Sequence, residues 1–168
     1  MKKKRLLPLG ILAVLILAAL IYTRPMSLQE LGKVDLLQCN SITGYYRRVP
    51  DTEFTSFELS AEDERCSQLT NLFAQQKYRR SLINLLSPDG GSIHQPKDGD
   101  FIWDLSFNFG PTDFPDGSTG KGTFIQCRDF YGTLSIFTAI DGKTLRCTTS
   151  DQTAFLQQVY DVISSDAP

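Results

Sequence analysis

Phe101-Ile102-Trp103-Asp104-Leu105-Ser106-Phe107-Asn108-Phe109 is the stretch that decides the fold. Phe101, Trp103, Leu105, Phe107 and Phe109 alternate with Ile102, Asp104, Ser106 and Asn108. Successive side chains of a strand point to opposite faces. Period two therefore puts five large apolar groups on one side and a mostly polar set on the other. Such a strand belongs to an antiparallel sheet with one face in a core and one in water.

Turn-rich loops bracket this strand. Residues 87–99 carry Pro-Asp-Gly-Gly and Lys-Asp-Gly, and residues 110–122 are again rich in Gly, Pro and Asp. Beyond them, Asp141-Gly142 is a hairpin signal, and Tyr131-Gly132 turns the preceding pair. With two-residue turns at both places, Cys127 pairs with Ile136, and Ile136 pairs with Cys147. That register gathers Ile125, Cys127, Leu134, Ile136, Leu145 and Cys147 on one face, which a slip of one residue would invert. Ser150 or Asp151 then caps a closing helix with Phe155, Leu156, Val159, Val162 and Ile163 inward, and 165–168 frays.

Upstream, Val34, Leu36 and Leu37 read as a first strand and 53–59 as a second. Ser60 opens a helix with Glu62, Asp63 and Glu64 in its first turn, where negative charge complements the dipole. Cys66, Leu69, Leu72 and Phe73 form its apolar stripe, and it ends near Gln76. Residues 77–86 read as a further strand. The order strands, helix, strands, helix predicts an α+β fold, a mainly antiparallel sheet with two helices packed on one face.

The N-terminus has a different character. Lys2, Lys3, Lys4 and Arg5 precede 17 uncharged residues, 6–22, made mostly of Leu, Ile, Ala and Val. As a helix that run rises about 26 Å, close to the roughly 30 Å of a hydrocarbon core. The basic cluster stays cytoplasmic, which places the remainder outside. A cleaved signal peptide is the competing reading. It would need a small-x-small site, whereas Ala18-Ala19 is followed by Leu20-Ile21-Tyr22, so an uncleaved anchor is preferred. The expected organisation is a basic tail (1–5), an anchor (6–23), a short juxtamembrane helix or stalk (24–32), a domain (33–164) and a tail (165–168). Ser27-Leu28-Gln29-Glu30 is a capping box for the stalk helix, with Gly32 as its stop.

The whole chain has 17 basic and 19 acidic residues. With the four basic residues of the tail set aside, 13 face 19, a net charge of −6. Nucleic-acid binding needs a basic surface that displaces counterions, so that class is excluded as an expectation. In general plan, with a basic start, one span and a small α+β domain, the chain resembles small membrane-anchored extracytoplasmic proteins of Gram-positive bacteria. That resemblance implies location and fold type and carries no catalytic residue across.

Candidate chemistry is sparse. Cys39, Cys66, Cys127 and Cys147 form no C-x-x-C, so neither a zinc ribbon nor a thioredoxin-type site is indicated. The expected register keeps Cys127 and Cys147 too far apart to bridge. The four read as buried free thiols in preference to disulfide staples of unknown pairing. His94, the one histidine, lies in a Gly-rich loop with no G-x-S-x-G nearby, and reads as an exposed loop residue. Asp98, Asp100, Asp113 and Asp116 flank the strong strand. They are weak calcium candidates, since Asp-Gly pairs are ordinary turn chemistry. No cofactor is expected.

Two aromatic-basic clusters stand out, Tyr45-Tyr46-Arg47-Arg48 and Tyr78-Arg79-Arg80. Tyrosine beside arginine is the usual composition of an interface hot spot. The wet face of the sheet adds Phe124, Arg128, Phe137 and Arg146. The reading is a non-enzymatic binding module for a protein or cell-envelope component, held at a membrane. A small hydrolase using the loop carboxylates is the alternative.

Overall fold

The computed structural model describes residues 3–86, 97–110 and 122–165. Helix α1 (Lys3–Tyr22) leads into α2 (Leu28–Gly32). Strands β1 (Cys39–Arg48) and β2 (Thr55–Ser60) precede α3 (Glu64–Gln75), the two-residue β3 (Arg79–Arg80) and α4 (Ile83–Leu86). Then follow β4 (Phe101–Phe109), β5 (Thr123–Phe130), β6 (Thr133–Thr138), β7 (Lys143–Thr148) and α5 (Gln152–Ser164). The seven strands form one sheet in the order β2-β1-β4-β5-β6-β7-β3, every pairing antiparallel. The fold is α+β.

The alternation along β4 sets the layers. Trp103, Leu105 and Phe107 are wholly buried beneath the helices. Phe73 of α3 meets Trp103, Phe107 and Phe155 of α5 edge-on, at 6.0, 4.9 and 5.1 Å between ring centroids. Edge-to-face rings fill this core because the electron-poor edge of one faces the electron-rich face of another. Cys66 and Leu69 of α3, and Phe155, Leu156, Val159 and Ile163 of α5, complete it, with Leu72 and Val162 at its margin.

The first hairpin of the meander has the expected register. Cys127 faces Ile136, and Tyr131 (φ 50°) and Gly132 (φ 80°) make the left-handed pair that a two-residue turn demands. The second hairpin differs. Thr138 faces Lys143, the loop is 139–142, and Ile136 faces Leu145 rather than Cys147. The Gly142 N–H donates to the Thr138 carbonyl at 2.8 Å, which closes a wider turn. The shift is two residues, so every side chain keeps its face, and Leu145 and Cys147 still point to the core.

Local hydrogen bonding overrides three other expectations. Residues 36–38 form a 3-10 turn, because the Asp35 carboxylate accepts the Leu37 N–H and draws the backbone out of a ladder. The first strand therefore starts at Cys39. Asp63, not Ser60, caps α3, accepting the Arg65 N–H at 2.9 Å, and Ser60 ends β2. The strand expected from Lys77 stops after Arg80. There the Asn84 side chain takes over the ladder, accepting the Arg146 N–H at 2.9 Å and donating to its carbonyl at 3.0 Å.

The capping box at Ser27 and Glu30 is present. The short helix it starts does not stand off as a stalk. Leu28 and Leu31 are buried in the core, and a β-carbon on Gly32 would collide with the Ile125 side chain. Asp151 caps α5. Of the tail, Ser165 follows that helix and 166–168 lie outside the described residues.

Helix α1 spans 20 residues. Among the described residues no helix is long and apolar enough to cross a membrane.

Candidate functional site

The outer face of the sheet carries the most organised polar chemistry. Strand pairing aligns Ser56 of β2, Tyr45 of β1, Asp104 of β4, Arg128 of β5, Ser135 of β6 and Arg146 of β7 in one transverse row. The next row on that face runs Glu58, Thr43, Ser106, Gln126, Phe137 and Thr144. Neighbouring side chains within a row stand about 5 Å apart, and the rows about 7 Å apart. The face is thus a regular grid of hydroxyl, amide and guanidinium groups.

Asp104 is its hub. Its carboxylate accepts from Arg128 Nε at 2.7 Å, Gln126 Nε2 at 2.8 Å and Tyr45 OH at 3.0 Å. These donors cover it so well that its side chain is only 4% exposed, although the face looks outward. Burial, and then the Asp104 carboxylate, push the Tyr45 phenol above its ordinary range and keep it a donor. Gly44 is required beside this hub, because a β-carbon there would meet the Asp104 carbonyl oxygen of the adjoining strand. Further along, Asn108 donates to Ser41 Oγ and Thr43 Oγ1, each at 3.3 Å.

Aromatic rings flank this polar centre. Phe124 and Phe137 lie 5.7 Å apart toward one side. Toward the other, Phe54 meets Tyr45 edge-on at 5.1 Å, and Arg47 sits 4.9 Å over the same Phe54 ring. A shallow depression of about 620 Å³ opens between Tyr45, Ser56, Glu58, Asp104, Ser106 and Gln126. A carboxylate saturated by three donors does not move protons for a substrate. The face offers donors and rings, which is the equipment of recognition.

The two Tyr-Arg clusters do not stay together. In the first, Tyr45 and Arg47 join the outer face, and Arg47 Nη2 donates to Tyr131 OH at 3.1 Å. Tyr46 turns to the core side and packs against Phe57 and Tyr160, and Arg48 is exposed at the strand end. The second cluster is dispersed. Tyr78 is wholly buried and donates to the Phe73 carbonyl at 3.1 Å, so it cannot meet a partner from solvent. Arg79 is exposed. Arg80 Nε donates to the Tyr22 carbonyl at 3.1 Å, and its guanidinium lies 4.6 Å over the Tyr22 ring. A cation at the last carbonyl of α1 complements the helix dipole, so Arg80 joins that helix to the domain. Arg146 lies half-buried in the transverse row.

All four cysteines are free thiols. Burial pushes Cys39 and Cys147 up to about 12 and Cys127 well above its ordinary range. Cys66 is raised for the same reason. None is a ready nucleophile. Asp98 is exposed, and Asp100 accepts the Lys97 backbone N–H at 2.7 Å. His94, Asp113 and Asp116 lie outside the described residues. Among the described residues no group of three or more His, Cys, Asp or Glu is placed to hold a metal ion.

Sequence reading put Asp104 and Arg128 on one face but did not pair them. The β4–β5 register depends on the connection 110–122, whose length hides the pairing. Only β1 and β5 closing on either side of β4 bring Tyr45, Gln126 and Arg128 to one carboxylate. Compared with known proteins, the chain matches no family model, no curated protein and no solved structure.

Proposed function

We propose that the protein is a membrane-anchored extracytoplasmic binding module that presents the outer face of its sheet to a protein or cell-envelope partner. The observation that carries this reading is the Asp104 network. Its three donors fix Tyr45, Gln126 and Arg128 in one arrangement, so a partner would pay little ordering entropy. The exposed ring of Phe124 and the half-buried ring of Phe137 supply adjoining apolar area, and Arg146 extends the row with a second guanidinium. Aromatic and arginine side chains concentrate binding energy at interfaces.

Membrane attachment is supported by α1. Eight of its large apolar side chains, from Ile11 to Ile21, are 52–66% exposed. Together with the basic cluster at its start, that fits a helix whose surroundings are lipid and whose start is cytoplasmic. Arg80 and Tyr22 would then hold the domain close to the bilayer.

Site-specific photo-crosslinking on intact cells tests the reading. A benzophenone side chain at Phe137 should give a discrete crosslinked species that Arg128→Glu removes. The same probe at exposed Glu64 of α3 should give none. Equal labelling at both positions, or none at Phe137, would sink the proposal. External protease should also shave the domain from intact cells.

A further inference from the structure

A second polar feature lies on the opposite, helix-covered side of the sheet. Asp129 of β5 points inward at the rim of the core and is only 1% exposed. Among the described residues neither of its carboxylate oxygens has a hydrogen-bond partner. The Gly132 amide faces it closely enough to favour the ionised form, yet without bonding geometry to either oxygen. Burial pushes this carboxyl up from 3.8 to about 7, and the Asp100 carboxylate adds to that shift. Among the described residues no Lys or Arg forms an ion pair with Asp129 or Asp100. Lys97, at the mouth, keeps its side chain exposed.

Asp129 lines a pocket of about 400 Å³, within the range of small-molecule sites, roughly 300–1,000 Å³. Phe101 and Tyr131 contribute rings, and Leu156 contributes an apolar surface. The rings are fixed from behind. Phe101 stacks on Tyr160 at 4.8 Å, and the Tyr131 hydroxyl accepts from Arg47. Helix α5 presents Gln152, Thr153 and Gln157, all uncharged. Among the described residues the titratable groups facing Asp129 are therefore Asp100 and Lys97 from the segment before β4 and Tyr131 from the β5–β6 turn.

We propose that this pocket binds a small aliphatic ammonium ion, its charge on Asp129 and Asp100 and its stem against Phe101, Tyr131 and Leu156. A buried carboxylate without a donor is costly, and a cation that also donates hydrogen bonds removes that cost. Ring faces attract the same ion. A divalent metal fits less well, because two carboxylates fall short of the six or more oxygen ligands that calcium takes. The positive end of α5 lies beside the pocket and favours the ionised carboxylate, which is the form that binds.

Titration of the full chain in detergent micelles with n-butylammonium chloride, followed by amide NMR, tests this. At pH 8 the amides of Tyr131, Gly132 and Gln152 should shift saturably. Affinity should drop at least fivefold at pH 6, as Asp129 takes up a proton. Asp129→Asn should weaken binding at least tenfold and Asp100→Asn about threefold, with amide spectra showing both folded. Glu62→Gln, at an exposed position ahead of α3, should leave binding unchanged, and n-butanol should bind at least tenfold more weakly than the ammonium ion. The proposal fails if the wild type shows no saturable shift at pH 8. It fails too if Asp129→Asn binds within twofold of wild type, or if calcium chloride displaces n-butylammonium at a lower concentration.

Discussion

Asp104 and Asp129 stand on adjacent strands, β4 and β5, one residue out of register and on opposite faces. Both are almost fully buried, at 3% and 1% exposure. Asp104 accepts three side-chain hydrogen bonds, one from a guanidinium. Among the described residues Asp129 has no hydrogen-bond donor, and burial pushes its carboxyl up to about 7. Depth alone therefore does not set how a buried carboxylate behaves. The donors that the neighbouring strands supply decide whether it organises a surface or waits for a partner.

Stability against pH offers the strongest way to break that contrast. Folded Asp129 holds its proton more tightly than the unfolded chain does. Its contribution to stability is therefore full below about 3.8 and lost as pH rises to about 7. Linkage puts that loss on the order of 4 kcal/mol. Urea midpoints measured from pH 4 to 8 should fall in the wild type by more than in Asp129→Asn. Equal slopes in the two proteins would mean that Asp129 is solvated or paired after all.

Arg128→Ala probes the other side. It leaves Asp104 with two neutral donors and should cost about 2 kcal/mol, discounted because the Arg128 side chain is 48% exposed. A cost near zero in denaturant unfolding would show that the hub is held by packing rather than charge. Tyr45→Phe removes a single neutral donor and should cost about 1 kcal/mol, with the Arg128 and Gln126 bonds intact. The smallest expectation concerns the thiols. Four should titrate in the unfolded chain, since all four cysteines are free. A count of two would point to oxidation of one pair.

The two Tyr-Arg clusters show where sequence reading stops. Both looked like hot spots, with the same residue types in the same order. Tyr45 and Arg47 reach the outer face because β1 is a full strand and period two separates them from Tyr46 and Arg48. Tyr78 lies at a bridge to Met26 and is enclosed by the aromatic core, while Arg80 is drawn to the end of α1. Nothing within three residues distinguishes these fates. They depend on chain segments some 50 residues away. Asp129 escaped notice for a similar reason. It continues the inward parity of Ile125 and Cys127, but only the packing of α5 over that position makes it buried.

By itself the sequence determined the layers and the faces. Alternation in β4, the Tyr131-Gly132 turn, the helical stripes of α3 and α5 and the capping box at Ser27 are local patterns, each written within about a dozen residues. Tertiary structure decided the strand order and where each polar group finds its partner. The carboxylate of Asp104 is completed by side chains from two other strands, and that of Asp129 is left without a donor among the described residues. A hydrogen bond needs atoms within about 3 Å, and only the folded chain brings residues that far apart in sequence to that distance.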